Sequence, residues 1–204
     1  MIGVEINSIF PTPVYRSRLA RKFTEKELHF VKKMKTKCTP NAGNTTSSNS
    51  YVLNSSYFAV LKKEIDLFVE DYFAKILFPP KSISPYITQS WLNYTETNGY
   101  HHSHCHLNSY LSGVLYINAE SPHDKITFNR GRYNQIHFPP TKWSLFNSES
   151  WFFPVKTGEI IMFPSHMTHL VEKKQGRNTR ISPSFNVFLK GDLGSRDNLT
   201  QLKL

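Results

Sequence analysis

The spacing of hydrophobic residues along the chain changes near residue 85 from a helical to a strand-like pattern. Before it, apolar residues recur at three- and four-residue intervals in two segments, which predicts two amphipathic helices. The first helix follows Thr24, a candidate N-cap that has Glu27 at capping-box spacing. Its expected apolar face is Leu28, Val31 and Met34.

The second helix is predicted from Ser55 or Ser56 to about Phe78, where Pro79 and Pro80 end it. Its expected apolar face comprises Phe58, Leu61, Ile65, Phe68, Val69, Phe73 and Ile76. Between the two helices, residues 38–50 are rich in Ser, Thr and Asn, which predicts a polar loop, either a disordered connection or a mobile flap.

Short aromatic and β-branched runs follow residue 85, cut by Gly, Pro and Asn, and they predict strands. The runs are ITQSWLNY, YLSGVLYIN, KITFNR, SWFFPV, EIIMFP and RISPSFNVFL. Because no helix is expected between them, they should pair in antiparallel fashion. The pattern predicts an α+β chain in which two N-terminal helices brace a β-sandwich or jelly roll, with a loose tail from Asp192.

The length of 204 residues favours a single domain, with 1–85 as helical support, 86–190 as the β core and 191–204 as the tail. Lys and Arg number 25 and Asp and Glu 15, a net charge of +10. The excess is spread along the chain, so nucleic acid is possible but not favoured as a partner. The sequence has two cysteines, no signal-peptide pattern and no long apolar run. These features predict a protein of the cytoplasm with no membrane association.

The candidate chemistry lies in two histidine windows, GYHHSHCHLN and FPSHMTHL. Side chains two apart on a strand share a face, so His104 and His106 can converge on one ion, and His102 has the same parity. His169, after the strand EIIMFP, is the expected third ligand, whereas His166 is expected to be only a neighbour. Three imidazoles on one face of an ion leave positions open for substrate, as in catalytic metal sites.

The second candidate feature is an arginine that can donate two hydrogen bonds to one acceptor group. Arg180 and Ser182 alternate onto one face of a strand, where they would present a bidentate donor and a hydroxyl beside the metal. Such a pair suits a small dicarboxylate. The alternative is an arginine in an ordinary salt bridge.

These residues resemble the 2-oxoglutarate- and Fe(II)-dependent oxygenase superfamily, over roughly residues 86–190. The segments FPTPVY, SWLN, HCHLNSYLSGVLYI, GEIIMFPS and RISPSFN are similar to its prolyl-hydroxylase-like branch and to oxygenases common in phage and marine bacterial genomes. The resemblance implies a double-stranded β-helix fold and, for a phage protein, the host cytoplasm.

The resemblance also implies the roles of individual residues. His104, His106 and His169 would be the iron ligands, and Arg180, assisted by Ser182, would anchor the distal carboxylate of 2-oxoglutarate. Tyr94 and Tyr116 would line the cosubstrate pocket, or would be core residues. With Fe(II), 2-oxoglutarate and O2, the implied reaction hydroxylates a C–H bond and releases succinate and CO2.

Position 106 departs from the superfamily, in which the second ligand is usually a carboxylate. A neutral imidazole leaves the site one charge unit more positive, which favours zinc or copper more than the usual site does. The substrate is open: a protein side chain, a metabolite or a nucleobase. Residues 38–50 and 129–150, the latter with Arg130, Arg132, Tyr133 and Trp143, are candidate substrate-facing flaps or plain connections.

Three other functions remain alternatives. A metal cupin that does not use 2-oxoglutarate fits in part, but Tyr110 and Leu111 stand where its glutamate is expected. A nucleic-acid demethylase of the same superfamily is suggested by the charge, although Arg177 and Arg180 do not supply the longer arginine pattern. The third is a non-enzymatic jelly-roll phage protein with an incidental metal.

Overall fold

The computed structural model of the chain describes residues 3–131, 136 and 138–204. The α-helices of this part are α1 (Glu25–Lys35) and α2 (Ala59–Tyr72). The strands are β1 (Tyr15–Arg18), β2 (Cys38–Asn41), β3 (Asn44–Ser47), β4 (Ser84–Thr95), β5 (His101–His104), β6 (Leu111–Leu115), β7 (Lys125–Asn129), β8 (Ser150–Pro154), β9 (Glu159–Pro164), β10 (His169–Val171), β11 (Arg180–Lys190), β12 (Asp192–Leu193) and β13 (Leu202–Lys203). Neither helix is long and apolar enough to cross a membrane.

Within the described residues, the strands form one large and one small antiparallel sheet and a terminal hairpin. The large sheet has the order β1-β9-β6-β11-β4-β3-β2, and the small sheet has the order β5-β10-β7-β8. Each of the six predicted runs contains a strand of these sheets, so the expected mixed architecture with mainly antiparallel pairing is confirmed.

The large sheet has two different faces, because side chains alternate along each strand. One face packs against the helices in a core that includes Leu61 and Ile65 of α2 and Leu92 of β4. The other face meets the small sheet in a second core that includes Val114 of β6 and Phe128 of β7. The face of each residue in the large sheet therefore decides whether it can reach the space between the sheets.

Helix α1 begins with the predicted capping box: Thr24 accepts from the backbone N–H of Glu27, and the Glu27 side chain accepts from the backbone N–H of Thr24. Its expected apolar face is wrong in one residue, since Leu28 is 40% exposed. Glu27 and Phe30 are buried on that side instead. Burial of Glu27 is possible because Arg21 donates two hydrogen bonds to its carboxylate.

The second predicted helix consists of three consecutive pieces. A 3₁₀ turn spans Ser56–Phe58, α2 follows, and a π-helical turn spans Phe73–Leu77. Phe78 then takes a left-handed conformation ahead of the two prolines. The predicted apolar face is confirmed, because all seven of its residues belong to or pack against the helix-side core.

Two segments that were expected to lack structure are strands, so both expectations are wrong. Residues 38–47 form the hairpin β2–β3 at the edge of the large sheet, with Gly43 in its turn at φ +81°. Ser47 Oγ accepts a hydrogen bond from the Leu92 backbone N–H. The segment from Asp192 forms the hairpin β12–β13. Backbone pairing between strands orders these polar segments, and Cys38 and Leu193 pack against the helix-side core.

Candidate active site

Three histidines meet between the two sheets. His169 begins β10 and lies directly opposite His104, the last residue of β5. His106 lies beyond the end of β5, where its backbone N–H donates to the Ser165 carbonyl. The ring centroids of His104 are 5.0 Å from His106 and 4.3 Å from His169, and one nitrogen from each ring lies within 4.8 Å of the others. The predicted triad is thus brought together, and it can hold a metal ion.

Backbone carbonyls orient two of these rings. Nδ1 of His104 lies 2.8 Å from the His102 carbonyl oxygen, and Nδ1 of His169 lies 3.0 Å from the Met167 carbonyl oxygen. A carbonyl only accepts, so each Nδ1 carries the proton and each Nε2 keeps its lone pair. This fixes the tautomer that a metal ligand needs.

All three rings are held neutral. Burial lowers the pKa of His169 to about 3, although its bond to the Met167 carbonyl opposes the shift. Burial and the neighbouring His104 lower the pKa of His106 to about 4, and burial also lowers the pKa of His104. Near neutral pH, the site therefore presents lone pairs and no positive charge.

Arg180 starts β11 and is 3% exposed. Its Nη2 donates to Thr95 Oγ1 at 3.3 Å, but its buried Nε and Nη1 have no partner within the described residues. Burial lowers the pKa of Arg180, while nearby Tyr116 and Asp124 oppose that shift. Buried donors without partners are costly. Carboxylate oxygens are strong acceptors for guanidinium N–H groups, so the site fits the distal carboxylate of a dicarboxylate.

The triad and Arg180 line one cavity, which is partly open to solvent. Of the other predicted site residues, Ser182 and Tyr116 also line it, whereas Tyr94 does not. Burial raises the pKa of Tyr116, so its hydroxyl stays protonated. The remaining lining residues are Trp91, Asn93, His101, Ser112, Gly113, Val114, Ile126, Phe163, Val171, Ser184 and Phe185.

The expectation for Tyr94 is therefore corrected. On β4, Trp91 and Asn93 face the cavity, and Tyr94 has the opposite parity. Its hydroxyl donates to the Val31 carbonyl of α1 at 2.7 Å, and its ring belongs to the helix-side core. Tyr94 ties a helix to the sheet.

Among the cavity-lining residues that sequence reasoning did not assign to the site are Trp91, Asn93 and His101. The Trp91 ring lies 5.7 Å from that of His106, and Asn93 Nδ2 donates to Ser184 Oγ at 3.0 Å. Trp91 and Asn93 share a face of β4 with Thr95, which pairs with Arg180. The alternation along β4 is visible in the sequence, but its pairing with Arg180 is not. His101 is the third, and its ring stacks 4.4 Å from that of His104.

The candidate flaps differ in how they meet the site. Asn41, at the end of β2, reaches His101, with Nδ2 at 3.4 Å from Nε2. Arg130 donates to the Phe146 carbonyl at 2.8 Å, and Trp143 is 56% exposed. Arg132 and Tyr133 lie outside the described residues, so a substrate-facing role for 129–150 stays a prediction.

No carboxylate joins the metal-binding atoms. Among the described residues, the groups able to hold an ion contain histidine only. His166 is exposed and belongs to neither group, as expected for a neighbour. The donor set is therefore three neutral imidazoles, which iron, zinc, copper and nickel all accept.

A family model described as "Putative 2OG-Fe(II) oxygenase" matches residues 89–186. This range contains all three histidines of the triad, Arg180, Ser182 and Tyr116. The resemblance read from the sequence motifs is thereby confirmed. No curated protein matches the chain significantly.

Solved structures with similar folds have low sequence identity. HygX from Streptomyces hygroscopicus, with nickel, 2-oxoglutarate and hygromycin B bound, is 12% identical, with 86% of this chain and 82% of that chain covered at a TM-score of 0.59. A prolyl hydroxylase from Trichoplax adhaerens, in complex with a peptide fragment, is 9% identical, with 86% and 83% covered at 0.61. A Pseudomonas putida prolyl-4-hydroxylase is 11% identical, with 86% and 92% covered at 0.56. These likenesses show a shared fold.

Proposed function

We propose that this chain is a 2-oxoglutarate- and Fe(II)-dependent oxygenase that hydroxylates a C–H bond of its substrate with release of succinate and CO2. Its cofactor and cosubstrates are Fe(II), 2-oxoglutarate and O2. The observation that carries the proposal is the buried guanidinium of Arg180, two of whose donors have no partner among the described residues, in the same cavity as three neutral imidazoles.

In this proposal, the triad, Arg180, Ser182 and Tyr116 have separate roles in binding the metal and the cosubstrate. Nε2 of His104 and Nε2 of His169, with a ring nitrogen of His106, would hold the ferrous ion. Arg180 would bind the distal carboxylate, and the hydroxyls of Ser182 and Tyr116, which line the same cavity, would assist it. When bound, the iron and 2-oxoglutarate supply the oxidising chemistry that divides O2 between substrate and succinate.

The apolar part of the wall excludes water from the reacting centre. Val114, Ile126 and Phe163 line the cavity, and they belong to the core between the two sheets. Because apolar residues exclude water, the charge interaction of Arg180 with a carboxylate is stronger and side reactions are limited. We assign the two sheets to a double-stranded β-helix within one domain, with 86–190 as the catalytic core and 1–85 as its support.

The substrate class is the open part of the proposal. HygX was solved with hygromycin B and the Trichoplax enzyme with a peptide, so a small metabolite and a protein side chain are the first two classes to screen, with a nucleobase third. We also propose a cytoplasmic location, because Cys38 and Cys105 are both free thiols. The phage association stays a prediction.

The proposal is tested by anaerobic titration with Fe(II), with and without 2-oxoglutarate. A chelated keto acid on ferrous iron gives a visible charge-transfer band, which we expect for the wild type. Arg180→Ala should weaken 2-oxoglutarate binding by about tenfold or more, since it removes charged hydrogen bonds. His169→Ala should abolish the band.

His166→Ala is the matched control, because His166 is exposed and outside both histidine groups. It should leave the band unchanged. A wild-type protein that binds Fe(II) but never shows the band would contradict the proposal and favour the cupin or the non-enzymatic module. On admission of O2, succinate measured by mass spectrometry should appear only in proteins that show the band.

A further inference from the structure

A second histidine group lies beside the first. His101, His102 and His104 each place a ring nitrogen within 4.8 Å of the others. The ring centroids of His101 and His104 are 4.4 Å apart, those of His102 and His104 are 5.0 Å apart, and those of His101 and His102 are 5.2 Å apart. The group therefore has the donor type and nearly the spacing of a three-histidine metal site.

A bulge in β5 brings these rings together. His104 is opposite His169 and His101 is opposite Val171, so three steps along β5 match two along β10. In a regular strand, the adjacent side chains of His101 and His102 would point to opposite faces. The extra residue re-aims one of them, as bulges beside active sites do.

His104 belongs to both histidine groups, but it can serve only one ion at a time. Its Nδ1 donates to the His102 carbonyl at 2.8 Å, which leaves Nε2 as the single lone pair. An ion on His101 and His102 and an ion on His106 and His169 therefore compete for the same atom.

Solvent can reach the second group. His102 is exposed, and His101 is half-buried and lines the cavity. The nearest competing contact is Asn41 Nδ2, which lies 3.4 Å from His101 Nε2. That distance is long for a hydrogen bond, and Asn41 is exposed, so the contact is weak.

We propose that His101, His102 and His104 form an outer metal site for a divalent transition ion such as Zn²⁺, Co²⁺ or Ni²⁺, and that the outer site and the inner triad are occupied alternately. The exchange of His104 provides a path by which an ion captured near the surface passes to the inner site. The proposal goes beyond the oxygenase function and holds whatever the inner triad catalyses.

The test uses Co²⁺, whose visible spectrum reports its ligand geometry, and an anaerobic titration of the whole chain. The His106→Ala/His169→Ala variant lacks the inner triad but keeps the outer one, and it should bind one Co²⁺. Adding His101→Ala and His102→Ala should weaken that binding by at least tenfold. The same two changes in the wild type should leave one Co²⁺ bound at the inner site.

Two results would overturn the proposal. One is equal Co²⁺ affinity in the His106→Ala/His169→Ala variant and in the fourfold variant. The other is two tightly bound Co²⁺ ions per wild-type chain, because a shared Nε2 permits only one. If the variant lacking the buried His169 ring fails to fold, as judged by circular dichroism, the single His106→Ala change replaces it with the same expected results.

Discussion

At the scale of single residues, the charge of the site follows from position 106. A histidine there makes the inner triad neutral, and no Asp or Glu joins either metal-binding group in the described residues. The cavity also holds the cation Arg180, whose Nε and Nη1 have no partner in the part of the chain that the structure describes. The cavity is therefore electropositive, which suits a dianionic cosubstrate better than a neutral one.

Replacing the neutral ligand should change the metal preference. Carboxylate ligands suit Mn²⁺ and imidazole ligands suit Zn²⁺, so His106→Asp should lower the affinity ratio of Zn²⁺ to Mn²⁺ by about tenfold, or about 1.4 kcal/mol. Competitive titration followed by the Mn²⁺ electron paramagnetic resonance signal measures this ratio. His166→Asp adds the same charge nearby and should leave the ratio unchanged. Equal effects of the two changes would show that position 106 is not a ligand.

Gly113 of β6 lies against a buried ring that leaves no room for a side chain at this position. A Cβ there would overlap the ring of Phe185, its partner on β11. Gly113→Ala should push that buried ring aside and lower the free energy of unfolding by about 1–3 kcal/mol. Urea unfolding measures the loss. Gly131→Ala is the control, since its Cβ meets nothing within 4 Å, and a loss no larger than in that control would contradict the packing argument.

At the scale of elements, hydrogen bonds to one buried carboxylate hold the start of helix α1. Helix α1 is anchored at its start by the Glu27 carboxylate, which accepts from Arg21 at 2.9 and 2.7 Å and from the Thr24 backbone at 2.8 Å. Burial would raise the pKa of Glu27, but the hydrogen bonds from Arg21 and Thr24 outweigh it and hold the pKa below its ordinary value. The anchor therefore depends on the ionised carboxylate.

Glu27→Gln should lower the free energy of unfolding by about 2 kcal/mol near pH 7, because the charged hydrogen bonds are lost. A depressed pKa contributes stability above the unfolded-state value near 4.5 and loses it as the pH falls through the lower folded-state value. The difference in the free energy of unfolding between wild type and Glu27→Gln should therefore become smaller below pH 4.5. Urea unfolding at pH 7 and pH 3 measures both gaps.

Glu25→Gln, an exposed change in the same first turn, serves as the control and should show a small gap at both pH values. A Glu27→Gln gap that stays constant from pH 7 to pH 3 would mean that ionisation of Glu27 does not stabilise the helix.

At the scale of the whole molecule, a buried ion pair connects the two loops that precede β7 and β11. Lys174 Nζ donates to Asn178 Oδ1 at 2.7 Å and to the Gly176 carbonyl at 2.8 Å, and it lies 3.9 Å from Asp124 Oδ1. Asp124 Oδ2 accepts from the Glu120 backbone and from Asn178 Nδ2. Both charged side chains are 1% exposed. The pair thus joins the segments that lead into β7 and β11.

Lys174→Met should lower the free energy of unfolding by about 3–5 kcal/mol, because it leaves the Asp124 charge buried without a counterion. Lys174→Met combined with Asp124→Asn should recover part of that loss. Lys125→Met removes a half-exposed pair with Glu172 and should cost about 1 kcal/mol or less. Thermal and urea unfolding of the four proteins measure these differences. A double variant no more stable than Lys174→Met would show that the uncompensated charge is not the cause.

The sequence by itself determined which residue types are available and how they alternate. The strand of Arg180 and Ser182 and the capping box of Thr24 and Glu27 are local patterns, so the structure reproduces them. The histidine spacing likewise predicted a triad of residues that the structure brings together. Local periodicity is set by backbone geometry, which needs no knowledge of distant residues.

Only the tertiary structure decided which face of each strand meets which layer. Alternation places Asn93 and Tyr94 on opposite faces of β4, but packing of α1 on one of them decided that Tyr94 supports a helix while Asn93 reaches the cavity. The bulge that brings His101 to His104 depends on the register between β5 and β10, whose partners are far apart in sequence. Such register is set by the whole set of packed layers, because no short segment contains both partners.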